Sequence, residues 1–168
     1  MDKDTQRVMF SSKSAEWETP VDFFIRLDER FKFTLDPCST PTNAKCPKYY
    51  TMTQDGLSQD WGGQQVFVNP PYGREMKKWV QKSYEESRKP NTTVVMLIPA
   101  RTDTRYWHDY CMKADLIYFV KGRLHFKNKM VTDHTGKAKA NPAPFPSAVI
   151  VFGGNSGGAP TVGVMKNK

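Results

Sequence analysis

The stretch Val66-Phe67-Val68-Asn69-Pro70-Pro71-Tyr72-Gly73 decides the reading of this chain. Its first three residues are apolar and two are β-branched, the pattern of a short buried strand. Asn69 and two prolines stop it, because proline has no N–H for a ladder and holds the residue before it extended. The turn that follows is rigid and rich in acceptors. The Asn69 side-chain carbonyl is one, and the main-chain carbonyl of Pro70 is another. Tyr72 adds a ring face beside them. Acceptors held still next to an aromatic face suit a planar ligand that carries an amino group.

Outward from this turn the chain alternates strands and helices. Glu75 to Arg88 carries Met76, Trp79, Val80 and Tyr84 at helical spacing, and Val94 to Ile98 is a second, fully buried strand ending at Pro99. Strand, helix and strand at this spacing predict a crossover in a parallel sheet. Upstream, Val21, Phe24, Leu27 and Phe31 predict a helix with Thr19 as N-cap and Pro20 at its first position, followed by a strand at Phe33-Thr34-Leu35. Residues 37–65 read as a long binding loop with little regular structure. Downstream, Thr104 to Met112 is helical, Leu116 to Val120 and Arg123 to Phe126 are strands, and 127–146 is a basic loop. Ala148 to Phe152 closes the sheet. Residues 1–16 read as a flexible N-terminal segment, 17–153 as one domain and 154–168 as a flexible tail. The class is α/β with a mostly parallel sheet. Ligands of such sheets bind beyond the carboxyl ends of the strands. Three loops meet at that rim: Asp36-Pro37-Cys38, Asn69-Pro70-Pro71-Tyr72 and Pro99-Ala100-Arg101-Thr102-Asp103.

The composition narrows the partners. The 168 residues hold 25 Lys and Arg against 17 Asp and Glu, a net charge of +8, which favours a polyanion such as nucleic acid. No apolar run is long enough to span a bilayer, and the first residues lack the apolar centre of a signal peptide. Cys38, Cys46 and Cys111 cannot all pair and read as reduced thiols of a cytosolic protein. They and His108 lack a Cys-x-x-Cys knuckle, so no metal is called for.

In order along the chain, Trp17-Glu18-Thr19-Pro20, Phe33-Thr34-Leu35-Asp36-Pro37-Cys38, Asn43-Ala44-Lys45-Cys46, Tyr49-Tyr50-Thr51, Asp55-Gly56-Leu57, Asp60-Trp61, Asn69-Pro70-Pro71-Tyr72-Gly73, Pro99-Ala100-Arg101-Thr102-Asp103-Thr104, Gly122-Arg123-Leu124 and Ala143-Pro144-Phe145-Pro146-Ser147 form a set. Together they resemble the phage-type DNA N-6-adenine methyltransferases, the Dam-like family, over roughly residues 15–153. The resemblance implies a compact Rossmann-like fold and transfer of a methyl group from S-adenosylmethionine to the exocyclic amine of adenine in double-stranded DNA. The chain departs from full-size methyltransferases in that only about thirty residues separate Asp36 from Val66, too few for two full crossovers, so some elements are expected to be shortened, with no separate recognition domain. The resemblance also implies a phage or prophage protein acting in the bacterial cytoplasm.

Chemistry supports that assignment. An adenine amine is conjugated into its ring and attacks only when acceptors draw on its hydrogens. Asn69 and Pro70 are placed for this, with Pro71 stiffening the turn and Tyr72 stacking on the extruded base. By resemblance, Trp17, Thr19 and Pro20 receive the methionine end of the cofactor, joined by Asp36, Pro37, Cys38 and Asn69. Asp55 reads the cofactor's adenine. From the residues alone, Thr19 is also an ordinary helix cap and Asp55 also a solvated turn residue. The usual glycine-rich turn after the first acidic residue is replaced by Cys38-Ser39-Thr40-Pro41. For DNA, Arg101, Arg105 and Arg123 are expected near the target, with Lys127, Lys129, Lys137 and Lys139 on phosphates. Trp107 and Phe126 read first as core. RNA adenine, a protein glutamine amide, or a catalytically inactive DNA-binding relative are the alternatives.

Overall fold

The structure, a computed structural model, describes residues 17–132, 134–136, 138–154 and 157–168, and of 127–132 and 138–141 the backbone only. The elements run β1 (Leu35–Asp36), β2 (Lys48–Tyr49), β3 (Gln65–Val68), β4 (Thr93–Pro99), β5 (Leu116–Lys121), β6 (His125–Thr132), β7 (Ala138–Pro142), β8 (Ser147–Phe152) and β9 (Thr161–Lys166), with helices α1 (Val21–Phe31), α2 (Met76–Ser87) and α3 (Arg105–Asp109). Seven strands form one sheet in the order β2-β1-β3-β4-β8-β5-β9. Only β8 runs against its neighbours β4 and β5; the pairs β1–β2, β1–β3, β3–β4 and β5–β9 are parallel.

The central strands are apolar throughout because both faces are covered. Alternate residues of β3 and β4 enter two cores: Val66, Val68, Val94, Met96 and Ile98 pack with Trp79 and Val80 of α2, while Phe67, Val95 and Leu97 pack with Phe23, Phe24 and Leu27 of α1. The α1 stripe is therefore turned from the expected one: Phe23 is buried and Val21 is half exposed. The helix also starts one residue later than expected. Pro20 is its N-cap and its carbonyl accepts from Phe24 N, so Thr19 is free for another task. The first strand likewise shifts, to Leu35–Asp36.

Between β1 and β3 the chain forms only the two-residue β2 and a single 3₁₀ turn at Gly56–Ser58, which is how the elements are shortened. Two expectations are corrected. The basic loop 127–146 instead supplies much of a hairpin, β6 paired with β7, outside the main sheet. The stretch Lys127-Asn128-Lys129-Met130-Val131 lacks apolar–polar alternation, and the alternation at Ala138 to Ala140 is too short and too weakly apolar to announce a strand. Residues 161–166, expected in a flexible tail, form β9, paired along its whole length with β5. The glycines at 153–158 conceal it by breaking the pattern just before Thr161-Val162-Gly163-Val164. Residues 1–16 lie outside the described residues. Among those described, no helix is long and apolar enough to cross a membrane.

Candidate active site

Because β1, β3, β4 and β5 point the same way, the chain leaves all four at one rim, after Asp36, Val68, Pro99 and Lys121. The three loops expected together are together. β8 begins at this rim as well, with Ser147 in register with Pro99.

Asn69 is the hub. Its Nδ2 donates to the Trp17 carbonyl at 2.8 Å and to Thr19 Oγ1 at 2.9 Å. A main-chain carbonyl can only accept, which fixes the amide's orientation. Its Oδ1 then accepts from the Tyr72 hydroxyl at 2.9 Å. A side-chain amide has two donors and two acceptor lone pairs. Among the described residues, three of the four positions are filled by the chain itself and one lone pair of Oδ1 takes no bond. Burial holds the Tyr72 phenol far above its usual range, so it stays a donor. Thr19, expected as a helix cap and a cofactor contact, is buried and braces Asn69.

Asp36 ends β1 almost wholly buried. Cys38 N donates to its Oδ1 at 3.3 Å and Lys45 N to its Oδ2 at 3.0 Å. Burial nevertheless pushes its pKa up to about 6, because these bonds do not replace the lost water. The same bonds explain how Cys38-Ser39-Thr40-Pro41 manages without glycines: side chains tie the turn instead, Asp36 to Cys38 and Lys45, and Asn43 to Thr40 N at 2.6 Å. A polar notch of about 20 Å³ opens over Asp36, lined among others by Trp17, Glu18, Thr19, Lys45 and Asn69. The ammonium of Lys45 meets Glu18 there at 3.1 Å.

Cys38 also lines a second, larger cavity of about 390 Å³. Its walls are the turn from Pro37 to Pro41, the loop from Thr51 to Leu57, and Pro71, Tyr72, Arg74, Glu75 and Trp79. Asp55 stands on this wall with a left-handed backbone, φ 52°. Gly56 makes the wall possible: a Cβ there would overlap the Pro37 carbonyl oxygen. Trp61 Nε1 donates to the Gly56 carbonyl at 2.9 Å and pins the loop from behind. The Ser39 hydroxyl on the cavity wall is buried without a partner among the described residues. Residue reading missed Gly56, Ser39, Met52, Leu57 and Trp79 as part of the site. Gly56 belongs to the motifs that carry the resemblance, but the close approach that requires a glycine there is tertiary and cannot be read from the residues.

On the other side of Tyr72 lies an aromatic nest. Tyr72 faces Trp17 with ring centres 6.5 Å apart and planes 23° from parallel. Phe126 and Phe145 stand nearly upright to Tyr72, at 86° and 81°. Trp17 belongs to this nest and to the notch and does not line the large cavity. Trp107 is buried in the core beneath α3. Arg101 and Arg123 are exposed on loops of the same rim, and Arg105 is exposed at the start of α3. Lys137 and the side chains of Lys127, Lys129 and Lys139 lie outside what is described. Among the described residues no group of His, Cys, Asp or Glu is arranged to hold a metal.

The model of the DNA N-6-adenine-methyltransferase (Dam) family matches residues 8–156. This chain belongs to that family. It is 32% identical over 123 residues to the DNA N-6-adenine-methyltransferase of Haemophilus phage HP1, covering 71% of this chain and 70% of that one. It is also 36% identical over 64 residues to the "Putative methyltransferase YfdM" of Escherichia coli K12, covering 34% of this chain and 70% of that one. The chain is thus a DNA adenine methyltransferase.

Proposed function

We propose that the methyl donor is S-adenosylmethionine, held in the 390 Å³ cavity with its amino-acid end in the notch, and that an adenine extruded from double-stranded DNA meets it at Asn69. The one acceptor lone pair left on Asn69 Oδ1 carries this reading. The donor set fits the group. The cavity volume falls in the range of small-molecule sites, and it combines apolar walls with few polar atoms. Asp36 supplies a carboxylate for an ammonium, Asp55 an acceptor for an exocyclic amine, and Ser39 a buried hydroxyl that needs a partner. When bound, the donor supplies an electrophilic methyl carbon on a sulfonium.

The chain's residues do the rest. Asn69 Oδ1 and the Pro70 carbonyl accept from the two hydrogens of the target amine and free its lone pair for attack. Tyr72 holds Asn69 in orientation through its hydroxyl and offers its ring to the base. Trp17 and Thr19 keep the Asn69 amide from turning. Preorganisation of this kind lowers a barrier because nothing need reorient as charge develops. Arg101, Arg105 and Arg123 lie on or beside the rim to engage DNA, and β6 and β7 carry Lys127, Lys129 and Lys139, three of the lysines expected on phosphates. This reading is that of a compact Rossmann-like methyltransferase. Its place of action is the bacterial cytoplasm, as suits a relative of a phage enzyme.

The test is direct: incubate the protein with labelled S-adenosylmethionine and unmethylated duplex DNA, digest the DNA, and identify the labelled nucleoside. N6-methyladenosine in its deoxy form is expected. Label in another base, or only in single-stranded substrate, contradicts the proposal.

A further inference from the structure

We propose that the indole of Trp17 is the second wall of the target-base pocket, opposite Tyr72, a role that rests on the reading of Asn69 and Tyr72 given above. The two rings are within 23° of parallel and 6.5 Å apart at their centres. A planar base between two rings needs two stacking intervals of about 3.4 Å, or about 6.8 Å. A centre-to-centre distance of 6.5 Å is the most the gap between the planes can be, so the two rings move apart to admit a base. Phe126 stands at 90° to Trp17 and 86° to Tyr72, and Phe145 at 63° and 81°. Two near-parallel rings against two steeply inclined ones make an apolar nest, packed ring to ring in the free protein.

The polar end of the nest is built from the same residues. Asn69 donates to the carbonyl of Trp17 and accepts from the hydroxyl of Tyr72, so both walls are tied to the group that takes the amine. A base whose faces lie on the walls thus has its edge at Asn69. Ser147 adds a second sign of a missing polar neighbour. It is two residues after Phe145 on the face of β8 shared with Val149, and its hydroxyl is buried with no partner among the described residues. The edge of a base would satisfy it.

Trp17 can be followed separately from the other tryptophans. Trp61, Trp79 and Trp107 are buried in the core, whereas Trp17 is half-buried at the rim. The full-length wild type, Trp17→Phe and Trp17→Leu would be compared for methyl transfer to unmethylated plasmid DNA, for S-adenosylmethionine affinity by calorimetry, and for tryptophan emission on adding the DNA. Trp17→Leu should lose at least about tenfold in kcat/KM for DNA, as expected for one stacked base. Trp17→Phe should keep more of kcat/KM for DNA than Trp17→Leu, and in both the loss for DNA should exceed any loss of S-adenosylmethionine affinity, since Trp17 also lines the notch. DNA should quench emission in the wild type and not in Trp17→Phe. If Trp17→Leu does not fold, this quenching comparison decides. Full activity in Trp17→Leu, or unchanged quenching in Trp17→Phe, overturns the proposal by making Trp17 a mere cover. A loss of S-adenosylmethionine affinity in its place assigns the ring to the donor and overturns it too. A wild type that binds DNA yet never methylates adenine removes the underlying reading, and this wall with it.

Discussion

On one side of the Asn69–Tyr72 turn the chain leaves a cavity of about 390 Å³; on the other it packs four aromatic rings together. The two regions share Tyr72 and are built by different forces. The cavity is held open by backbone constraints: Gly56 against Pro37, Asp36 strapped by Cys38 and Lys45, and Asn43 capping Thr40. The nest is held by ring contacts, which have little direction and can be exchanged for contacts with another ring. A rigid preformed site suits a small donor used at every turnover. A site closed on itself suits a base that arrives only when DNA is bound and displaces one set of stacking contacts with another.

The largest effect that would test this division is expected from Asn69→Ala. It should lower kcat by about 10²- to 10³-fold, the cost of removing one preplaced polar group, while calorimetry shows donor affinity little changed. Loss of donor affinity with unchanged turnover would merge the two regions. Next is Gly56→Ala, which drives a methyl into the Pro37 carbonyl. Overpacking of this kind costs about 1–3 kcal/mol, so the melting temperature should fall, and S-adenosylmethionine should bind at least about tenfold more weakly. DNA affinity without donor should be unaffected, because the nest lies on the far side of Tyr72.

Third comes pH. The Asp36 carboxyl has its folded pKa raised to about 6 by burial, above its value of 3.8 in an open chain. A raised carboxylate pKa means the folded state takes the proton more readily. This group's contribution to stability is therefore greatest below pH 3.8 and is lost as pH rises through about 6. Donor affinity should run the other way, falling as pH drops through about 6, because an ammonium is bound by the ionised form. Asp36→Asn should flatten both dependences; retained pH sensitivity in that variant would place the titrating group elsewhere. The smallest effect is expected at the rim. Arg101→Ala and Arg123→Ala should each make the slope of log affinity against log salt shallower by about 0.9 for every phosphate the missing guanidinium neutralised, read from DNA binding at several salt concentrations.

The two regions also differ in how much of them could be read from residues. The turn at Asn69 and the strands around it were legible because Val66–Val68 and Val94–Ile98 are continuous apolar runs closed by prolines. Asp36 lines the notch and Asp55 the larger cavity, and Asp36 ends a strand that the residues announce. The bracing of Asn69 by Trp17 and Thr19 was not legible, since it joins residues fifty positions apart. Nor was the nest: Phe126 and Phe145 have the spacing of neither helix nor strand partners of Tyr72, and they meet it only through tertiary packing. β9 escaped because its residues follow a glycine-rich stretch and form an edge strand with Val162 and Val164 exposed, so no buried face announces it.

The division itself is best tested by hydrogen exchange on the wild type, alone, with S-adenosylmethionine, and with S-adenosylmethionine and duplex DNA. The donor alone should slow exchange in residues 38–41 and 51–57, and DNA should add protection around Trp17, Leu124–Phe126 and Phe145–Ser147. Donor-induced protection confined to the nest, with the walls of the 390 Å³ cavity unchanged, would contradict the account.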